Sequence, residues 1–217
     1  MDNTLQLLKQ SFHDAKQEER QQSTMANYIE KNLSSLHASI AISAPSPSKA
    51  LMSFVEDYID IAPEHIQALY TLAKEAQLEK YVNPFLDLSY IYFINPPDLL
   101  APFNGLQKLL HQAYLAHRLM EEVNDKVMNL SGGAALAPMD MCMANIISHA
   151  LIGDKIANQL DHLVLLAMET TKIDAGIFEK QNVRSFLEKR KAKDWEEITK
   201  RWPCFTRDCA INLQINA

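Results

Sequence analysis

Glycine is scarce in this chain, five in 217 residues, and closely spaced Asn-Gly or Asp-Gly turn signals are missing. A β-sandwich or barrel needs a tight turn every few residues, so the shortage argues against both. Cysteine is nearly absent as well. Cys142 lies in an apolar helical stretch, and Cys204 and Cys209 are separated by FTRD rather than by the two residues of a redox or zinc motif; the thiols read as structural or incidental. No stretch reaches the roughly 18 uninterrupted apolar residues of a membrane span, and the start, MDNTLQLLKQ, lacks the charged-then-apolar plan of a signal peptide. A cytoplasmic location is the expectation. There is also no G-x-S-x-G, no P-loop and no G-x-G-x-x-G. Whether the chain is an enzyme is therefore left open.

What is present favours helices. Apolar residues make up 47% and charged residues 22% of a chain rich in Ala, Leu, Glu, Lys, Gln and Met. The net charge of −6 argues against a surface that coats nucleic acid. One region departs from that average: between Phe178 and Arg201 eight basic residues face five acidic ones.

Periodicity divides the chain. Residues 3 to about 33 read as one long polar helix with a thin stripe of Leu5, Leu8, Phe12 and Ala15, then Met25, Tyr28 and Ile29. APSPS at 44–48 is the clearest linker, since prolines interrupt a helix and serines cap one. The organisation expected is an N-terminal arm or added layer over 1–43, a helical core over 49–203 and a tail over 204–217. Within the core, Leu51 to Ile61 and Pro63 to Ala76 read as two short helices, with Pro63 in the first turn of the second. Another covers about Val82 to Phe93, stopped by Asn95-Pro96-Pro97. Leu109, Ala113, Ala116, Met120, Val123, Val127 and Leu130 then alternate steps of four and three, a lengthwise packing seam, with Asn104 placed to cap its start. The glycine pair in SGGAALAP ends that helix, and Pro138 opens a second long one to about Thr171. A last helix runs from about Asn182 to Arg201, and the alternating Ile211, Leu213 and Ile215 could pair as a short strand or simply lie over the bundle. The fold expected is an all-α bundle of six to seven helices around two long antiparallel ones, at 105–130 and 138–171.

The candidate chemistry centres on AHRLMEEVND, residues 116–125. His117, Glu121 and Asp125 follow one another at four-residue steps and share a side of the helix beside the seam, whereas Glu122 faces water with Lys126 one turn on. The later helix supplies His149 and Asp154. Imidazole and carboxylate at these spacings suit a divalent metal and resemble those of iron-binding helices in hemerythrin-like bundles, but the H-x-x-x-H helix of such bundles is missing and no family is assigned. The bland reading is an intrahelical salt bridge. Asn158, Asp161 and His162 interrupt an otherwise apolar helix, as register-fixing polar positions or as ligand or interface contacts. Trp195 sits among the basic residues of the last helix, on a face able to dock a partner.

The function expected from these residues is non-enzymatic binding of a partner protein or small ligand by a chain that self-associates through the apolar helix at 138–171. The first alternative is a metal-binding bundle, enzyme or carrier, using His117, Glu121, Asp125, His149 and Asp154. A weaker one is a regulator that contacts nucleic acid through the basic C-terminal helix.

Overall fold

The computed structural model describes residues 2–139, 141–170, 173–192 and 211–213. The described chain is an all-α bundle: α1 Asp2–Gln22, α2 Thr24–Asn32, α3 Pro47–Glu75, α4 Glu79–Ile94, α5 Gly105–Leu130, α6 Cys142–Ile152, α7 Asp154–Thr170 and α8 Gln181–Ala192. Two three-residue strands, β1 Ile40–Ile42 and β2 Ile211–Leu213, pair antiparallel with Ile42 opposite Ile211. None of the described helices is long and apolar enough to cross a membrane.

Helix α5 is the axis. Its seam residues Leu109 to Val127 are buried as expected, but so are Leu106, Leu110, Tyr114, Leu115 and Leu119 from its other sides. A helix with buried residues on several sides must have neighbours on each of them, and α5 packs against α1, α3, α4, α6 and α7. Asn104 does stand just before its first turn, yet the side chain makes no capping bond there.

Three expected boundaries move. The segment 3–33 is two helices, broken at Ser23, whose φ of 53° is left-handed. The buried Glu19 carboxylate accepts from the amides of Met25 (2.8 Å) and Ala26 (2.9 Å), capping α2 with a side chain from the preceding helix. From the thin stripe of α1, Leu8 and Phe12 find their cover in the bundle, where Phe12 meets Phe93 at a ring separation of 5.5 Å.

The two short helices around Pro63 are instead the single helix α3. An interior proline removes one ladder bond and costs about 3 kcal/mol. The apolar stripe runs straight through it, however. Phe54, Tyr58, Ile59, Ala62, Ile66, Leu69 and Ala73 are all buried on one side, and that packing outweighs the local penalty.

The long helix at 138–171 is two. It begins only at Cys142 and breaks at Gly153, whose φ of 86° and ψ of 140° fit essentially glycine alone. The break re-aims the chain, so that α6 and α7 both pack on α5 and the second long helix expected at 138–171 is not continuous. A Cβ at 153 would meet nothing within 4 Å, which leaves backbone strain as its only cost. Gly153→Ala should therefore lower stability by about 1 to 3 kcal/mol in urea denaturation; an unchanged midpoint would mean that α6 and α7 can fuse without penalty.

Candidate functional site

One connected polar network runs across four helices. It starts in the core. The Tyr58 hydroxyl on α3 donates to Asn145 Oδ1 on α6 at 2.6 Å, and Asn145 Nδ2 donates to Glu121 Oε2 on α5 at 2.8 Å. Arg118, one turn before Glu121, donates to that same carboxylate, to Glu122 at 3.0 Å and, through Nε, to Asp161 on α7 at 3.1 Å. Asp161 in turn accepts from the Tyr114 hydroxyl at 3.0 Å, and the Tyr114 oxygen lies 3.1 Å from His149 Nδ1. His149 Nε2 ends the chain 3.3 Å from Asp154.

All of these groups except Tyr58 and Glu122 line a cavity of about 500 Å³. Its walls come from α5 (Tyr114, Arg118, Glu121), α6 (Asn145, Ile146, His149) and α7 (Asp154, Asp161), and its rim includes His37, Ser39 and Ile40 at the start of β1. Ile40 pairs with Leu213, so the far end of the described chain braces that rim. The Tyr28 hydroxyl, bonded to the Leu151 carbonyl at 2.9 Å, ties α2 to the back of α6.

The electrostatics follow from partial burial. Burial alone works against charge on Arg118, but its bonds to Asp161 and Glu121 more than offset it and hold the guanidinium protonated. Burial and the neighbouring Asp161 push the Tyr114 phenol up, which keeps its proton available for donation. One guanidinium against the carboxylates of Glu121, Glu122 and Asp161 leaves this cluster with a net negative charge.

Of the residues singled out from sequence, Glu121, His149, Asp154 and Asp161 line this cavity. His117 does not. It is fully buried with Nε2 donating to the Tyr58 carbonyl at 3.0 Å, and its ring packs at 4.4 Å on Tyr58 and edge-on at 5.4 Å to His65. That carbonyl is one residue before the one that Pro63 leaves without its helical donor. Asp125 is exposed, and Glu122 pairs with Arg118, not with Lys126. The three residues expected on one side of α5 thus part company, because bundle neighbours surround the helix and consecutive turns meet different environments. Among the described residues no three His, Cys, Asp or Glu side chains are placed to hold a metal ion. Asn158 and His162 are exposed on α7. Trp195 and the basic residues after 192 lie outside the described residues.

Sequence reading missed Tyr58, Tyr114 and Arg118. Arg118 carried a readable signal, since acids three and four residues after an arginine share its helix face. Tyr58 and Tyr114 carried none: each looks like one more apolar member of a helical stripe, and only the approach of α6 and α7 gives the hydroxyls work.

A second cavity, of about 390 Å³, lies between the end of α5 and α8, where Arg184 and Glu188 pair with each other at 3.0 Å. It gathers fewer polar groups than the first. Fold and site together define a class, an all-α bundle with a polar network opening into a cleft of about 500 Å³. Comparison with protein-family models, curated proteins and solved structures finds no match to this chain.

Proposed function

We propose that this protein binds a small molecule in the cleft between α5, α6 and α7. The observation that carries the reading is the convergence of six polar side chains, Tyr114, Arg118, Glu121, Asn145, His149 and Asp161, on one cavity of about 500 Å³. That volume falls within the few hundred to a thousand Å³ typical of ligand pockets, and apolar walls with a few well-placed polar groups are their usual lining. The hydrogen bonds among those groups hold them in place before a ligand arrives, which lowers the entropic cost of binding.

The test is a thermal-shift or ligand-observed NMR screen of a chemically diverse library, repeated on Ile146→Trp. Ile146 is 41% exposed at the cavity wall, so an indole there should fill the cleft with little effect on the fold. Hits should weaken at least tenfold in the variant while the melting temperature stays within a few degrees. Hits indifferent to the substitution, or none at all, would remove the reading.

Self-association is the second reading, favoured by the exposed Leu165 (52%) and Leu166 (43%) side by side on α7. If that face joins two copies, Leu165→Glu/Leu166→Glu should halve the mass measured by sedimentation equilibrium; a monomeric wild type would exclude it.

A further inference from the structure

Resting on the pocket reading, we infer that the α5–α6–α7 cleft is selective for a compact organic cation, an amine or ammonium group carried on an apolar body. The charged groups of the lining are the carboxylates of Glu121, Asp154 and Asp161 and the single guanidinium of Arg118. An arginine in a pocket ordinarily suggests an anionic ligand. Here its three nitrogens are each turned to a carboxylate of the protein itself, Nε to Asp161, Nη1 to Glu121 and Nη2 to Glu122. These contacts occupy three of its five N–H donors, and an anion approaching the other two would meet the carboxylates of Glu121, Glu122 and Asp161 around the same guanidinium.

The acids, by contrast, have acceptor capacity to spare. A carboxylate offers about four lone-pair sites over two oxygens. The hydrogen bonds that Glu121 accepts, from Arg118 and from Asn145, both end on Oε2, which leaves Oε1 for a donor in the cleft. Asp154, at the mouth, is 88% exposed beyond its contact with His149. Beside the polar His37, Ser39, Asn145 and His149, the lining includes Ile40, Ile146, Ala150 and Tyr114, which supply apolar or aromatic surface. Such walls suit a hydrocarbon or ring body, and an aromatic face adds attraction for a cation.

Matched probes separate charge from shape. Titrations of the full chain, followed by ¹H–¹⁵N NMR, would compare phenethylamine with 2-phenylethanol and 3-phenylpropionate, and butylamine with butanol and butyrate. Each amine is expected to bind at least tenfold more tightly than its alcohol and carboxylate counterparts, and to shift resonances of Tyr114, Asn145 and His149. Glu121→Gln and Asp154→Asn, one isosteric and one at an exposed position, should each shrink that margin severalfold without unfolding the protein. Alcohols or carboxylates that bind in the cleft as tightly as the amines would overturn the inference and leave the pocket reading intact. Failure of both amines to bind would overturn it too, whereas the pocket reading itself falls only on the library screen and its Ile146→Trp control.

Discussion

Arg118→Met should destabilise the fold by about 3 kcal/mol, read as a lower urea midpoint with an unchanged m-value. Methionine retains most of the aliphatic volume and removes only the charge and its donors. Left behind are three carboxylates, Glu121, Glu122 and Asp161, whose side chains are 15%, 32% and 27% exposed and whose common counter-ion has gone. Breaking a fully buried pair costs roughly 3 to 5 kcal/mol; partial exposure here places the expectation at the low end. Arg118→Lys should fall between the two. It keeps the charge, but one ammonium cannot reproduce a fork that serves carboxylates on two helices. A methionine variant as stable as the wild type would show that the network contributes nothing to α5–α7 packing.

Acid should weaken the protein from about pH 6.5 downward, because of histidines in the core. Burial drives His117 down to about 4, only partly opposed by its bond to the Tyr58 carbonyl. Burial likewise takes His111 to about 4, partly opposed by a backbone bond to Gln107, and its ring lies 4.2 Å from that of Phe103. His65, packed edge-on to His117, is lowered by burial and by that neighbour. The unfolded chain titrates these imidazoles near 6.5, so between about pH 6.5 and pH 4 it binds protons that the folded chain refuses. The contribution is therefore fully present above pH 6.5, falls as the pH drops through that window, and levels off below the folded values. For His117 and His111 the fall is on the order of 3 kcal/mol each. His117→Gln retains a donor for the Tyr58 carbonyl but cannot be protonated. Its stability at pH 7 should drop modestly, and its slope between pH 6.5 and pH 4 should flatten by about one proton's worth, some 1.4 kcal/mol per pH unit. An unaltered slope would show that His117 is not among the groups that refuse a proton.

Much of the bundle was legible because helical burial is periodic. The seam from Leu109 to Val127 is buried throughout, the glycine pair does end α5, and Ile211 to Leu213 does form a strand. The errors all concern continuity. Pro63 looked like a boundary and Gly153 like an ordinary helix position, yet the proline is carried through by packing on both sides and the glycine turns the chain. Both outcomes weigh a local preference of at most a few kcal/mol against tertiary contacts that the string of residues does not display. The site was half legible for the same reason. Titratable groups can be spotted one by one, so Glu121, His149 and Asp154 stood out as metal-ligand candidates and Asp161 as a ligand or interface contact, and all four line the cleft. Which of them meet depends on how α6 and α7 sit against α5.

By itself, the sequence determined the class of fold: apolar residues at helical spacing, few glycines and no hairpin signals leave a helical bundle as the way to bury this chain. Only the tertiary structure decided that His117 belongs to the core and Glu121 to the cleft, although one turn of helix separates them. Rotation along a helix is set by its own geometry, but what each turn meets is set by its neighbours. A histidine between α3 and α5 is stripped of water and held neutral, whereas the glutamate one turn on faces an open cavity beside an arginine that three carboxylates share.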